Sequence, residues 1–357
     1  MSPVRSHTMV IQHPEPPPKS PVPVRPVFLP FAGCPYRCIY CAQDIQTGVL
    51  NSAAAPEALR RELADELNAR QEPVELAFYG GTFTALPEPL LRGYLEIASE
   101  LRRSGLVTRI RCSTRPDCLN PADLDRLARS GVDMVEVGVQ SFDNAVLAAS
   151  GRGYDGATAR RGCQAVRGAG MELGVQLLPG LPRMTQDIFA DDTAAAAALE
   201  PAAVRLYPLL VLEGTPLAAR WRAGDYEPWS EDLAVDALAD SYLTFWKHGV
   251  RVIRAGLAPE AGLDAAFLAG PRHPAMGQRA RSLALFRLLE PALAAFDGPV
   301  HLDYPRRYQG ELWGHRNELA PAYAALGLSR DHARPHSSPW DAGRFVLSLL
   351  ADSAAAR

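Results

Sequence analysis

The sequence predicts an α/β fold: a partial or complete (β/α) barrel of six to seven units, with a small C-terminal α/β appendage. Three observations carry this expectation. From Arg25 onward, short apolar runs alternate with amphipathic stretches, as repeated strand–helix units require. Glycines stand where such helices should end, at Ser130-Gly131, Gly168-Ala169-Gly170 and His248-Gly249. The 357 residues leave room for one barrel of roughly 250 residues and a smaller addition.

Each element follows in order. Residues 1–24, with PEPPPKSPVPV among them, are rich in proline, which offers no N–H to a helix or sheet, so they read as an extended tail. Strands are expected at 26–31, 74–79, 109–113, 134–139, 173–178, 203–209 and 250–254. Helices are expected between them at 56–71, 87–104, 122–130, 157–169, 185–199 and 231–248. The barrel domain is thus assigned to 25–261. Beyond it, 262–357 reads as an appendage: a helix at 278–296, a strand at 300–304 and a further helix-rich stretch ending in small residues. In such a barrel the chemistry lies at the carboxyl ends of the strands.

Composition excludes some functions. Lys+Arg 37 against Asp+Glu 40 gives a net charge of −3, so no global positive field draws in nucleic acid or acidic lipid. The first thirty residues lack an uninterrupted apolar core, and no run approaches the roughly 18 apolar residues of a membrane span. A cytoplasmic protein with no membrane partner is expected. Of the six cysteines, three crowd into eight residues, which suits a metal better than a disulfide framework.

Those three, Cys34, Cys38 and Cys41, follow the first expected strand in the spacing CxxxCxxC. Soft thiolates on one tight loop suit three irons of a [4Fe–4S] cube, leaving the fourth iron open. A zinc site is the alternative, but it needs a fourth ligand, and no second Cys or His pair stands at finger-like spacing. The second expected strand ends in Phe78-Tyr-Gly-Gly-Thr-Phe-Thr84, whose glycines permit close backbone approach to a ligand or form a plain strand-to-helix turn. The third ends in Cys112-Ser-Thr-Arg-Pro-Asp117. Here Ser113 and Thr114 offer hydroxyls, Arg115 a guanidinium, and Asp117 or Asn120 a helix cap. The fourth gives Glu136-Val-Gly-Val-Gln-Ser141, followed by Ser150-Gly-Arg-Gly-Tyr154.

Taken together, CxxxCxxC after one strand and Gly80-Gly81-Thr82 after the next resemble the radical S-adenosylmethionine (radical SAM) superfamily. Across about 25–275 the chain looks like the branch related to the Elongator catalytic subunit and to oxygen-independent coproporphyrinogen dehydrogenase. That likeness rests on GCPYRCIYCAQ, FYGGTFTALP, STRPD, VEVGVQSFD, SGRGY, LGVQLLPGLP and RLYPLLVLEGTPLAARWRAGDY. With the Gly270-Pro-Arg-His-Pro274 segment it resembles short bacterial members lacking the acetyltransferase domain. Gln43 departs from the porphyrin enzyme, which has a cysteine there.

The resemblance implies an oxygen-sensitive enzyme with a [4Fe–4S] cluster on Cys34, Cys38 and Cys41, S-adenosyl-L-methionine as cofactor, and an electron donor such as flavodoxin or ferredoxin. It implies a 5'-deoxyadenosyl radical that takes hydrogen from a substrate, with an RNA base as one candidate. Tyr40, Gly80, Gly81, Thr82, Ser113, Thr114, Gln140, Arg152 and Gln176 are the implied cofactor contacts. A non-catalytic iron–sulfur chaperone and an enzyme of tetrapyrrole or other small-molecule metabolism stay open. His273 is either an acid–base residue or part of a rigid turn between two prolines. The basic and aromatic segment 306–317 is either a nucleic-acid contact or a solvated loop.

Overall fold

A computed structural model of the chain describes residues 8–16, 22–48, 55–70, 72–257, 261–337 and 343–350. They form two compact units, 18–234 with 252–274, and 1–17 with 235–251 and 275–357. The chain opens on β1 (Thr8–Gln12), which belongs to the second of these.

The first unit is a seven-stranded parallel sheet. Its strands are β2 (Val24–Phe28), β3 (Val74–Tyr79), β4 (Val107–Thr114), β5 (Met134–Gln140), β6 (Glu172–Leu177), β7 (Ala203–Leu206) and β9 (Val252–Ala255). They lie side by side in that order, as in a (β/α) barrel, and β2 and β9 are its two edges, so the barrel is partial. The short strand β8 (Val211–Leu212) pairs antiparallel with β10 (Phe267–Ala269). Helices follow the strands, and polar side chains cap them where they leave the carboxyl-end loops. Asn120, Asp143, Asp155, Thr185 and Thr215 each accept a backbone N–H three residues on.

Alternation along the strands separates two faces. Phe78 stacks on Phe83 and on Tyr94 of the helix Glu88–Arg103, and Leu76 shares its outward side. Glu75, Ala77 and Tyr79 therefore face the interior, in register with Val24, Pro26 and Phe28 of β2. By the same parity Arg109, Arg111 and Ser113 face inward from β4, Glu136 and Gly138 from β5, and Gly174 and Gln176 from β6; Gln140 lies past a register shift, and its Nε2 comes within 3.0 Å of where a Cβ on Gly138 would stand. Arg205 does so from β7, with Arg254 opposite it on β9. Gly174 is small for a local reason: a Cβ there would meet the Glu136 side chain at 2.8 Å.

The second unit is a four-stranded sheet in the order β1, β13 (Arg344–Leu349), β11 (Val300–Pro305), β12 (Leu328–His336). Only β11 and β12 run parallel. Its core joins Leu285, Leu289 and Leu293 of the helix Met276–Leu293 to Leu302, Tyr304, Phe345 and Leu347 of the sheet.

Three sequence expectations are corrected here. The lead-in 1–24 is not all tail: Met9 and Ile11 alternate with the exposed Thr8, Val10 and Gln12, pack against the core, and pair with β13 over 330 residues downstream. The barrel boundary at 261 also shifts, because 262–274 stay with the barrel while 1–17 and 235–251 join 275–357. The final stretch, read as helix-rich, holds β12 and β13, where Phe345, Leu347 and Leu349 alternate inward. The small-residue ending, 351–357, lies outside the described residues.

Candidate functional site

The cysteine loop leaves β2 and is pinned from three sides. Phe31, at φ 58°, and Gly33, at φ 73°, turn the chain, and the Cys34 N–H donates to the Phe31 carbonyl at 3.0 Å. The Gln43 Oε1 then accepts two backbone donors, Phe31 at 2.6 Å and Gly81 at 2.9 Å. One amide oxygen thus ties the start of the loop to the glycine turn after β3. The Thr82 N–H adds a bond to the Ala32 carbonyl at 2.7 Å. Gly81 sits at φ 54°, and a Cβ on it would overlap the Ala32 carbonyl, so only glycine allows this approach. On the far side, Ile39 donates to Ser150 at 3.3 Å and accepts from Leu217 at 2.9 Å.

Held this way, the thiols meet polar groups. Cys34 Sγ lies 3.3 Å from Thr82 Oγ1. Cys38 Sγ, buried, receives Arg152 Nη1 at 3.1 Å, with Arg115 Nη1 at 3.9 Å. Burial pushes the Cys34 thiol up and the Cys41 thiol up to about 12, and the neighbouring sulfurs add to both shifts. Cys34 and Cys41, each raised by burial and by a neighbouring sulfur, need compensating positive charge to ionise, which bound metal supplies. Among the described residues no set of His, Cys, Asp or Glu converges on a single ion. Three thiols on one tight loop fit a cube with a separate iron for each.

Two residues beside the loop fit an anionic, hydrogen-bonding ligand. Arg152 is 5% exposed and donates to Gly138 O, to Tyr154 Oη at 2.7 Å and to Tyr40 Oη at 3.3 Å, but no carboxylate pairs with it among the described residues. Arg115 is the contrast, because Asp117 accepts two of its N–H groups at 3.0 and 2.9 Å. Gln140 is 6% exposed, at φ 68°, and its Oε1 has no partner. A buried unmatched cation and a strained, unsatisfied amide are expected where a ligand completes the site. S-Adenosylmethionine, with its carboxylate and ribose hydroxyls, has the groups to match.

Comparison with known proteins settles the family. The radical SAM superfamily model matches residues 28–193, and the radical SAM C-terminal domain model matches 201–283. The chain belongs to the radical SAM superfamily. Radical SAM enzymes hold a [4Fe–4S] cluster and S-adenosylmethionine, and when bound this pair supplies a 5'-deoxyadenosyl radical by reductive cleavage. They take the electron from a separate donor.

Among curated relatives, the tRNA uridine(34) acetyltransferase of Methanocaldococcus infernus is 26% identical over 222 residues, 55% of this chain and 41% of that protein. The Elongator complex protein 3 of Schizosaccharomyces pombe is 28% identical over 200 residues, 50% of this chain and 37% of that one. The chain thus spans about 40% of the length of these relatives. The solved structure of the archaeal Methanocaldococcus infernus Elp3 covers 76% of this chain and 63% of its own, with a TM-score of 0.56 and 19% identity, a likeness of fold.

The radical SAM fold gathers most of the expected residues round one mouth. Tyr40, Gly80, Gly81, Thr82, Gln140 and Arg152 adjoin the cysteine loop or each other, and Ser113 and Gln176 face the same interior. Thr82 and Gly81 contact the loop itself. Thr114 differs: it points to the outer face, its Oγ1 2.6 Å from that of Thr84, because one residue along a strand reverses the side. Cys112 and Cys163 are fully buried core thiols. His273 follows β10 on a loop whose Gly270 packs against Leu209 and Leu210. In 306–317, Tyr308 and Leu312 are core residues and Trp313 packs edge-on to Tyr323, so the aromatics face inward and offer no stacking platform.

Sequence reasoning missed the charged lattice on the inner wall. Glu136 accepts Arg205 Nε at 2.5 Å and lies 3.5 Å from Arg111, which reaches Glu75 at 3.4 Å. Arg109 joins Glu75 and Glu172. The signal was present as charge within the strands, Arg109 and Arg111 at period two on β4 and the single Glu136 among the apolar residues of β5. Gln43 was noted only as a departure from a relative, although it is the bond that seats the loop.

Proposed function

We propose that this protein is a radical SAM enzyme that takes hydrogen from an RNA base. The cofactor is held by Arg152 on its carboxylate, by Gln140 and Ser113 on its ribose, and by Tyr40, Gly80, Gly81, Thr82 and Gln176 around it. The observation that carries the reading is the Arg152 guanidinium, buried against Cys38 Sγ with no carboxylate among the described residues to neutralise it. The RNA part is supported by the likeness to tRNA uridine(34) acetyltransferases across the barrel. A flavodoxin or ferredoxin supplies the electron, and the protein works in the cytoplasm; no helix among the described residues is long and apolar enough to cross a membrane.

The chain's own residues have definable tasks. Gln43 and the glycine turn fix the loop, Arg115 with Asp117 props Arg152 through its carbonyl, and Tyr154 holds the Arg152 head. The test is anaerobic reconstitution and reduction, with total RNA from cells lacking the gene. RNA-dependent 5'-deoxyadenosine, together with a new nucleoside by mass spectrometry, is expected. A bound cluster and cofactor with no turnover on RNA or metabolite extract would favour the chaperone reading instead.

A further inference from the structure

Tyr79 closes β3 and Tyr207 directly follows β7, and parity turns both toward the interior. Arg205 stands between them. Its Nη2 donates to Tyr79 Oη at 2.5 Å, its Nη1 to Tyr207 Oη at 2.9 Å, and its Nε to Glu136 at 2.5 Å. A guanidinium carries donors and no acceptor. Both phenol oxygens are therefore acceptors toward Arg205, and neither can give its own proton to it. Among the described residues neither hydroxyl has an acceptor for that proton. Burial, with Glu136 beside it, pushes the Tyr79 phenol up, so it stays a neutral donor. Two hydroxyls turned into the barrel, each with its proton uncommitted to the chain, can donate to an acceptor brought in by a ligand.

Position says what kind of acceptor. Gly80 and Gly81 of the cofactor turn follow Tyr79 without a gap, so the pair lies directly beneath the cofactor shell. Arg254, in register with Arg205 on the edge strand, is exposed and has no carboxylate partner among the described residues, adding positive potential to the open side. We infer that the Tyr79 and Tyr207 hydroxyls form a donor pair, fixed by Arg205, that binds a carbonyl or carboxylate oxygen of the substrate. This rests on the radical-enzyme reading but not on the substrate being RNA. The tyrosines are positioning residues: they hold the substrate where its hydrogen faces the cofactor.

The experiment uses holoenzyme with cluster and cofactor, labelled with 3-fluorotyrosine, titrated with acetate or with uracil and followed by fluorine NMR. Signals lost in Tyr79→Phe and Tyr207→Phe identify the two rings, and iron and sulfide content verifies loading of each variant. Both signals are expected to move along one saturation curve, with each Phe variant weakening the probe about fivefold, the worth of one hydrogen bond. A response to acetate alone assigns an anionic substrate oxygen; a response to uracil alone assigns a neutral carbonyl. Failure of both probes to move the signals, or unchanged affinity in both Phe variants, overturns the proposal. Tyr207→Phe, outside the strand, decides the question by itself should Tyr79→Phe not fold. RNA-dependent 5'-deoxyadenosine with silent tyrosines would sink the donor pair and leave the RNA reading standing, and responsive tyrosines without RNA turnover would do the reverse.

Discussion

The sheet of the second unit buries Leu302, Tyr304, Phe345 and Leu347 against leucines of one helix, while the barrel's inner wall holds Glu75, Arg109, Arg111, Glu136 and Arg205 in contact. Both are interiors of α/β layers, yet one is apolar and the other ionic. An apolar core gains from every atom taken out of water. An ionic wall gains little, because desolvation offsets the Coulomb attraction. The difference teaches where to look for function: the costly lining belongs to the radical SAM barrel, and on the proposed reading it presents charges and hydroxyls to a polar guest.

The comparison is open to attack at several points. The largest effect is expected from Cys38→Ala, which should remove cluster iron and reduce 5'-deoxyadenosine formation to background, read by iron analysis and chromatography. Glu136→Ala comes next. It strands Arg205, which pairs with no other carboxylate among the described residues, while Arg111 keeps Glu75, and should cost about 3–5 kcal/mol in urea unfolding. Leu302→Ala in the apolar core should cost about 2–5 kcal/mol through the cavity it leaves. An ionic-wall variant as mild as a surface substitution would break the contrast.

Acid sharpens it further. His13 is 3% exposed, stacked on Tyr308 and edge-on to Trp246, and burial lowers its pKa to about 3 from 6.5. The ring is neutral in the fold, whereas the unfolded chain takes up a proton below pH 6.5. The stability it contributes is full above 6.5 and is lost as pH falls toward 3. Roughly 2 kcal/mol should go between pH 6.5 and 5. Asp192 in the barrel works the other way. Burial raises it to about 6 while it accepts from Ser141 and Phe142, so the folded chain holds that proton more tightly, and stability from it is lost as pH rises through 6. The measurement is therefore the difference between wild type and His13→Phe, whose acid slope should be flatter. The smallest effect belongs to Thr114→Val: about 1 kcal/mol from the lost Thr84 bond, with S-adenosylmethionine binding retained in equilibrium dialysis.

Much of this was legible in the residues. Strand β3 falls where its apolar run and closing glycines place it, and CxxxCxxC marks the loop because few other chemistries put three thiols so close. What was hidden depends on partners far along the chain. β1 is a strand only because β13 pairs with it, and no local pattern in a proline-rich lead-in reveals that. Thr114 and Ser113 are adjacent and chemically alike, and only the strand's parity separates inner from outer. The Glu136–Arg205 contact joins residues on strands two apart, with Gly174 between them in the sheet; sequence shows the charges but not their meeting.

The pairing of Thr8–Gln12 with Arg344–Leu349 has a consequence during synthesis. The strand β1 leaves the ribosome more than 330 residues ahead of its partner, roughly tens of seconds at ordinary elongation rates. Met9 and Ile11 must stay unpaired through that interval while the barrel, whose strands are made in the order in which they lie, can assemble as it appears. The sheet of the second unit thus cannot close until Arg344–Leu349 has been made, and a chain interrupted before Arg344 carries all seven barrel strands and an unsheltered β1.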